Sequence, residues 1–455
     1  MDFKANRNEN RDTELDKSPE ILNLNLPWSL AAVGDALIAT RLNQFNDPMD
    51  SGFHDMVKAI KGADVAFINL EGLLFHLSEF KGWPEVEHGG YWQVGPPEAA
   101  EDLKAMGFNL VNCANNHTTD YGVEGMRLTN ELLDRLGMVH SGTGMNLGQA
   151  SRPGYLDTIK GRVALVGFAT SFTPMSRAGQ TRPDMMGRPG LNPLRVERTY
   201  ETDPILFQTL KTAAPRLGGR VLQDSGKLRL FGVEINQGTE TKVIEKLNVN
   251  DEERILHEIR NASMLADYVV VNSHSHEPGN ESVVPPPWLV EFAKKCLDNG
   301  ATAFIVHGPH QLRGIEIYRG KPIFYSLGNF IFHEELYDPL PSDFYELYDL
   351  PESALQSDLE NIRFKGGTIG FPSNPIWYES VVALTTFDGS KMTDLRLLPI
   401  DLGRKLPRSQ RGTPRIADRT QGKKIIERIA QLSKSFGTKI VYEDNVGVWQ
   451  QYLCR

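Results

Sequence analysis

A succession of short apolar runs rich in Val, Ile and Phe, alternating with longer amphipathic stretches, is the feature that most limits what this chain can fold into. The runs are Leu30 to Gly34, Val65 to Leu70, Leu110 to Ala114, Val163 to Ala169, Tyr268 to Asn272, Ala303 to His307 and Pro322 to Leu327. Helical spacing covers Pro97 to Met106, Val123 to Leu136 and Trp288 to Asn299, the last with Trp288, Leu289, Phe292, Ala293, Cys296 and Leu297 on one face. Internal strands alternating with helices predict an α/β fold.

The rhythm breaks twice. Residues 172–245 turn Arg/Gly/Pro-rich and then hold a helix-like stretch, Pro204 to Ala213, and short runs at Val221-Leu222 and Leu228 to Ile235, which reads as an insertion forming a lid or small subdomain. A second irregular stretch, acidic and aromatic, spans Glu334 to Ser373, and a closing strand pair follows at Glu379 to Phe387 and Lys391 to Leu398. The expected organisation is a polar segment 1–27, one domain 28–455 with the insertion 172–245, and a C-terminal extension 403–455 carrying a helix over Thr420 to Ser435.

Polar residues collect where the strands end. Asp35, Asn69 with Glu71, Asn116 with His117, His274 with His276, and His307 with His310 each follow a different apolar run. Ligands bind at the carboxyl edge of open α/β sheets, so five chain-distant clusters are expected to meet in one site.

Each cluster has an ordinary reading beside its chemical one. Asp35 after Gly34 can cap a turn or offer an oxygen to a metal. Asn69 and Glu71 share a side of the strand, and Glu71 can form a salt bridge, ligate, or bridge two ions. In the run Asn115-Asn116-His117, amides can satisfy a turn; alternatively the Asn116 oxygen binds a divalent ion, His117 donates a proton and Asp120 orients it. His274 and His276, two residues apart, and His307 and His310, around Gly308-Pro309, supply paired imidazoles, which are recurrent transition-metal ligands. The donor set fits one or two divalent ions such as Zn, Mn or Fe. Arg188 and Arg195 are candidates to clamp a small or peptide-like anionic substrate, although loop arginines are more often solvated. Asn69 is a further substrate-contact candidate, and Asn329 is expected to contact substrate or support the site.

Composition excludes several classes. The net charge is −9 with no long Lys/Arg stripe, which leaves nucleic acid little to bind. Three dispersed cysteines, Cys113, Cys296 and Cys454, argue against a disulfide framework or a structural zinc site. The polar N-terminus lacks the apolar stretch of a secretory signal, and no run is long enough to span a bilayer, so the expected address is cytoplasmic with no membrane segment.

Together these residues resemble the CapA family, associated with synthesis of poly-γ-glutamate capsules and similar to a branch of the calcineurin-type metallophosphoesterase fold. The resemblance rests on Val33-Gly34-Asp35, Asn69-Leu70-Glu71, Ala114 to His117 with Asp120-Tyr121-Gly122, Gly187 to Gly190, Gly308-Pro309-His310 and Tyr325 to Phe330, with Leu398 to Gly403 and Gly412 to Arg415 further on. It implies a four-layer α/β/β/α sandwich, with Asp35, Glu71, Asn116, His274 and His310 as ligands and His117 as proton donor. Two departures matter. Phosphoesterases of this fold usually carry Asp-x-His, whereas Asp35-Ala36-Leu37 has no histidine. Their last motif is Gly-His-x-His, but glycine here holds position 308 and His307 precedes it, which leaves His276 or His307 as the replacement ligand.

The resulting expectation is a metal-dependent hydrolase of an amide, a γ-glutamyl bond included, or of an ester, with His117 as general acid. A phosphoesterase and a non-catalytic accessory protein of polymer assembly are the alternatives.

Overall fold

The computed structural model describes residues 26–85, 91–222 and 226–451, so nearly all of the polar segment 1–27, and Cys454, lie outside the described residues. Within them the chain is a mixed α/β protein. The larger of two main sheets runs in the order Ile440–Glu443, Val446–Trp449, Lys391–Asp401, Glu379–Asp388, Trp28–Leu37, Val65–Leu70, Leu110–Asn112 and Val139–Ser141. Asn329–Phe332 also pairs with Trp28–Leu37, in parallel, beyond a register shift at Asp35. In the smaller sheet Gly161–Ala169, Tyr268–His274, Ala303–His307 and Lys321–Phe324 are parallel neighbours, with Gly154–Thr158 and Ile315–Tyr318 antiparallel at the edges.

Alternation along these strands sorts their side chains into separate cores. Leu30, Ala32, Val65 and Phe67 pack with Val163, Leu165, Val270 and Ile305 between the two sheets. Their neighbours Ala31, Val33, Ala66 and Ile68 face Phe53 and Ile60 of the helix Ser51–Lys61 and Leu103 of Glu98–Ala105. On the outer side of the smaller sheet, Ala164, Val166 and Phe168 meet Ile255 and Ile259 of Val249–Leu265 and Phe292 and Cys296 of Pro287–Asp298. Strands that read as continuously apolar are therefore buried on both faces.

The closing strand pair forms as expected, Glu379–Asp388 against Lys391–Asp401. Residues after Gly403 extend the larger sheet through Ile440–Glu443 and Val446–Trp449, while the helix Arg419–Ser433 sends Ile425, Ile426 and Ile429 into the inter-sheet core. The irregular stretch 172–245 divides in two. Its later part builds a five-stranded sheet from Val196–Thr202 to Lys242–Leu247 around its own apolar cluster of Phe207, Leu228, Leu230 and Ile235. Its earlier part lies against the main body, where Gly190–Leu191 pairs with Thr143–Gly144. Cys113 and Cys296 are buried free thiols, and no helix among the described residues is long and apolar enough to cross a membrane.

Candidate functional site

At Gly34 the first strand passes so close to Gly328 that an added Cβ would lie 1.9 Å from the Gly328 carbonyl oxygen, and the Asp35 amide donates to that same oxygen at 3.0 Å. The close approach fixes Asp35. Its Oδ1 accepts from Asn69 Nδ2 at 2.7 Å and its Oδ2 from the Gly308 amide at 3.0 Å. Gly308 has φ +107°, and a Cβ there would press on the Ser275 backbone at about 3.0 Å, so glycine is what lets this amide reach the carboxylate.

Glu71 lies at the centre of the cluster. It is fully buried, and neither carboxylate oxygen has a hydrogen-bond partner among the described residues. Its Oε1 lies 3.7 Å from His274 Nε2 and 3.8 Å from both His310 Nε2 and His117 Nε2. A desolvated carboxylate with no donor is costly, and burial, followed by the neighbouring Asp35, holds its pKa well above the ordinary carboxylate range.

The imidazoles are aimed by their other nitrogens. His310 Nδ1 donates to Asn329 Oδ1 at 2.9 Å and His276 Nδ1 to Asn280 Oδ1 at 2.8 Å, which leaves the lone pair of each Nε2 facing inward. His276 Nε2 comes within 3.1 Å of His274 Nε2, and the Asn116 oxygen lies 2.8 Å from the latter. Burial lowers the pKa of His274 well below its ordinary value, lowers that of His276, and brings His310 down to about 4. Neutral imidazoles are the form that binds metal. Two three-donor groups result, Asp35-Glu71-His274 and Glu71-His276-His310, which share Glu71.

Asn115 and Asn116 divide the work of their turn. Asn115 Nδ2 donates to the Leu70 carbonyl at 2.7 Å and its Oδ1 accepts from the His117 amide at 3.0 Å, so the structural share of the turn falls on Asn115. Asn116 is left facing the cluster. His117 Nδ1 donates to Asp120 Oδ2 at 2.7 Å, and Gln93 Nε2 lies 3.0 Å from His117 Nε2. Burial raises the Asp120 pKa, with His117 the main opposing influence.

Several expectations change here. His307 is turned away, because its Nε2 donates to the Val33 carbonyl at 2.8 Å and its Nδ1 accepts from Asn272 Nδ2 at 2.6 Å, so both nitrogens are used. Of the two candidate replacement ligands, the structure brings only His276 to the cluster. Asn69 is buried behind the site, between Asp35 and Asn112, rather than facing substrate. Asn329 likewise sits behind His310, donating to the carbonyls of His310 and Trp377. Arg195 makes a two-pronged pair with Asp251 at 2.6 and 3.0 Å, and the exposed Arg188 donates to the Arg177 carbonyl, so neither lines the cavity.

A cavity of about 470 Å³ opens over Asn116, His117, His276 and His310. Its other walls include Leu37, Gln93, Phe172, Asn280, Glu334, Arg363 and Phe371. Gln93, Asn280, Glu334 and Arg363 were absent from the sequence expectations. Only the acidic and aromatic character of Glu334 to Ser373 hinted at the last two.

The family model for the bacterial capsule synthesis protein PGA_cap matches residues 29–334, a stretch that contains every residue of the cluster. Protein y4sH of Sinorhizobium fredii is 41% identical over 433 residues, covering 92% of each chain. The capsule biosynthesis protein CapA of Bacillus anthracis is 25% identical over 67% of this chain and 60% of its own length, and the PGA biosynthesis protein CapA of Bacillus subtilis is 26% identical over 67% and 63%. With most of its length matched, the chain belongs to the PGA_cap family of bacterial capsule synthesis proteins.

Proposed function

We propose that this chain is a metal-dependent hydrolase with the α/β/β/α sandwich of metallophosphoesterase type, cleaving an amide bond, a γ-glutamyl linkage included, or an ester. The observation that carries the reading is Glu71, a fully buried carboxylate with no hydrogen bond at either oxygen among the described residues, set among imidazole nitrogens and the Asp35 carboxylate. That donor set fits one or two Zn, Mn or Fe ions, with Asp35, Glu71, Asn116 and His274 toward one position and Glu71, His276 and His310 toward the other. A bound ion there supplies Lewis-acid polarisation of the scissile group and a lowered pKa for water.

The chain's own residues account for the rest. Asn69 and the Gly308 amide hold Asp35, while Asn329 and Asn280 hold the rings of His310 and His276. Asp120 fixes the Nδ1 proton of His117, so that Nε2 is the atom that delivers a proton to the leaving group. Gln93 Nε2 stands 3.0 Å from that nitrogen, and its Oε1 accepts from the Tyr337 hydroxyl at 3.1 Å, which fixes the amide beside the ring. Leu37 lines the cavity where an Asp-x-His motif would put an imidazole, which favours an amide over a phosphoester. The Bacillus relatives, named for capsule and PGA biosynthesis, make a γ-linked glutamyl polymer or fragment the substrate class to try first.

Metal analysis of the purified chain, together with hydrolysis of γ-glutamyl amides before and after chelation, tests the reading. One or two equivalents of a transition metal and activity that chelation abolishes are expected. A chain that holds no such metal, with activity indifferent to chelation, would sink it.

A further inference from the structure

Among the described residues, the cavity wall contains one permanent cation: Arg363 is the only Lys or Arg that lines it. It ends the helix Gln356–Arg363, beyond the stretch 29–334 that matches the family model, while the metal-donor cluster and His117 lie within that stretch. The segment that supplies Arg363 also supplies Phe371 to the wall.

The guanidinium is held firmly. It lies 4.7 Å from the centre of the Tyr91 ring, 4.6 Å from Phe364 and 5.4 Å from Phe344, and its side chain is only 13% exposed. Its Nη2 donates to Glu334 Oε1 at 2.7 Å, and Glu334 itself lines the cavity. Its Nη1 is buried and has no hydrogen bond among the described residues, with Glu360 Oε2 at 3.7 Å. The other Glu360 oxygen accepts from Tyr91 at 2.9 Å, which holds that carboxyl back against the ring.

A salt bridge serving stability alone is a poor account of this arrangement. Burying a guanidinium and its partners commonly costs as much as their attraction returns, and an apolar side chain among three rings would avoid that cost. What an apolar side chain would not provide is a fixed positive charge on the cavity wall, of the kind that attracts a carboxylate.

We propose that Arg363 is the anchor for a carboxylate of the substrate and so determines which substrates the cavity accepts. The assignment rests on the hydrolase reading of the same cavity and deepens it by naming the substrate class as carboxylate-bearing. A single guanidinium, already partly compensated by Glu334, suits a monoanion better than a phosphate dianion. Each unit of a γ-linked glutamyl chain carries one free α-carboxylate, which meets this requirement. Leu37, Phe172, Pro174 and Phe371 give the wall an apolar part beside the polar Gln93, Ser171, Thr173 and Asn280.

Binding of glutaramic acid and of glutaramide, which differ only by one carboxylate, is measured by calorimetry on the full chain in metal-loaded and chelated forms. The acid is expected to bind about 10- to 100-fold tighter than the diamide in both forms, the range for a charge-assisted hydrogen-bonded contact. In Arg363→Gln the preference should fall below about 3-fold, with metal content unchanged, and Arg363→Lys should recover only part of it. A preference that survives Arg363→Gln, or that disappears on chelation of the wild type, overturns the proposal. Should the variant fail to fold, the wild-type comparison in the chelated form decides. Inorganic phosphate is the control, and an equal Arg363-dependent gain for it overturns the carboxylate assignment. Turnover is scored separately: no hydrolysis with the Arg363-dependent preference intact removes the hydrolase reading and leaves the anchor standing.

Discussion

Gln93 Nε2 lies 3.0 Å from His117 Nε2, on the opposite side of the ring from the Nδ1 that Asp120 Oδ2 holds at 2.7 Å. The Nε2 atom of the ring is held 3.8 Å from Glu71 by neighbours that are not metal donors. Replacing His117 by Ala should therefore lower turnover by about 10²- to 10⁴-fold, the range for a positioned acid or base. Metal content should stay close to that of the wild type. Elemental analysis beside the rate measurement checks this, and a matching loss of metal would show His117 to be a ligand.

The Arg195 pairing with Asp251 predicts an effect on stability with none on substrate affinity. Asp251 is almost fully buried and also pairs with Arg254 at 2.7 Å, so Arg195→Ala leaves it half-compensated rather than alone. Arg195 is itself 37% exposed, which reduces the effect to about 1–2 kcal/mol from the larger cost of breaking a wholly buried pair. Urea unfolding should register the loss while KM for any substrate stays constant. A raised KM in a variant of unchanged stability would restore Arg195 to the substrate.

The contrast between Arg195 and Arg363 shows where sequence reading stops. Val65–Leu70 and Ala303–His307 form with the bounds their apolar runs indicate, because burial on both faces leaves a strong local pattern. The donors were legible for the same reason, since polar residues at the ends of such runs are conspicuous. The choice between His276 and His307 was not legible. It depends on the Val33 carbonyl and the Asn272 amide, which take both nitrogens of His307 across 274 and 35 residues. Gln93 and Arg363 lie in stretches without a strand-end signature, and only the folded chain brings them to the cavity. The strands Val196–Thr202 and Lys242–Leu247 carry little sequence signal because they are mostly polar and half-exposed, so the alternation that marks a core strand is weak.

Glu360 predicts a pH dependence of stability that is independent of the donor cluster. Burial is the main cause that raises its carboxyl from an ordinary 4.5 to about 7, with Arg363 opposing the rise. Between those values the folded chain keeps a proton that the unfolded chain has already lost. The contribution of this group to stability is therefore complete below about pH 4.5, declines as pH rises toward 7, and levels off above it. Glu360→Gln should flatten that decline, measured as urea midpoints at pH values across the interval. An unchanged slope in the variant would mean that another group is responsible.

Glu71→Gln should reverse the order of stability between metal-free and metal-loaded protein. Without metal, burial and the neighbouring Asp35 raise the Glu71 pKa in the folded wild type, so the chain carries a penalty that grows as pH rises above the ordinary carboxylate value. Glutamine has no charge to desolvate, and its amide would stand where the carboxylate oxygen now lies 3.7 to 3.8 Å from the Nε2 atoms of His117, His274 and His310. The chelated variant should thus melt higher than the chelated wild type, by about 2–5 °C. With metal the order changes, because Glu71 belongs to both donor groups and its loss weakens both. The wild type then gains about 4 kcal/mol at a thousandfold excess of metal over Kd, and the variant gains little. Melting curves of the two proteins with and without metal test both halves: a variant stabilised by metal as fully as the wild type would remove Glu71 from the ligand set.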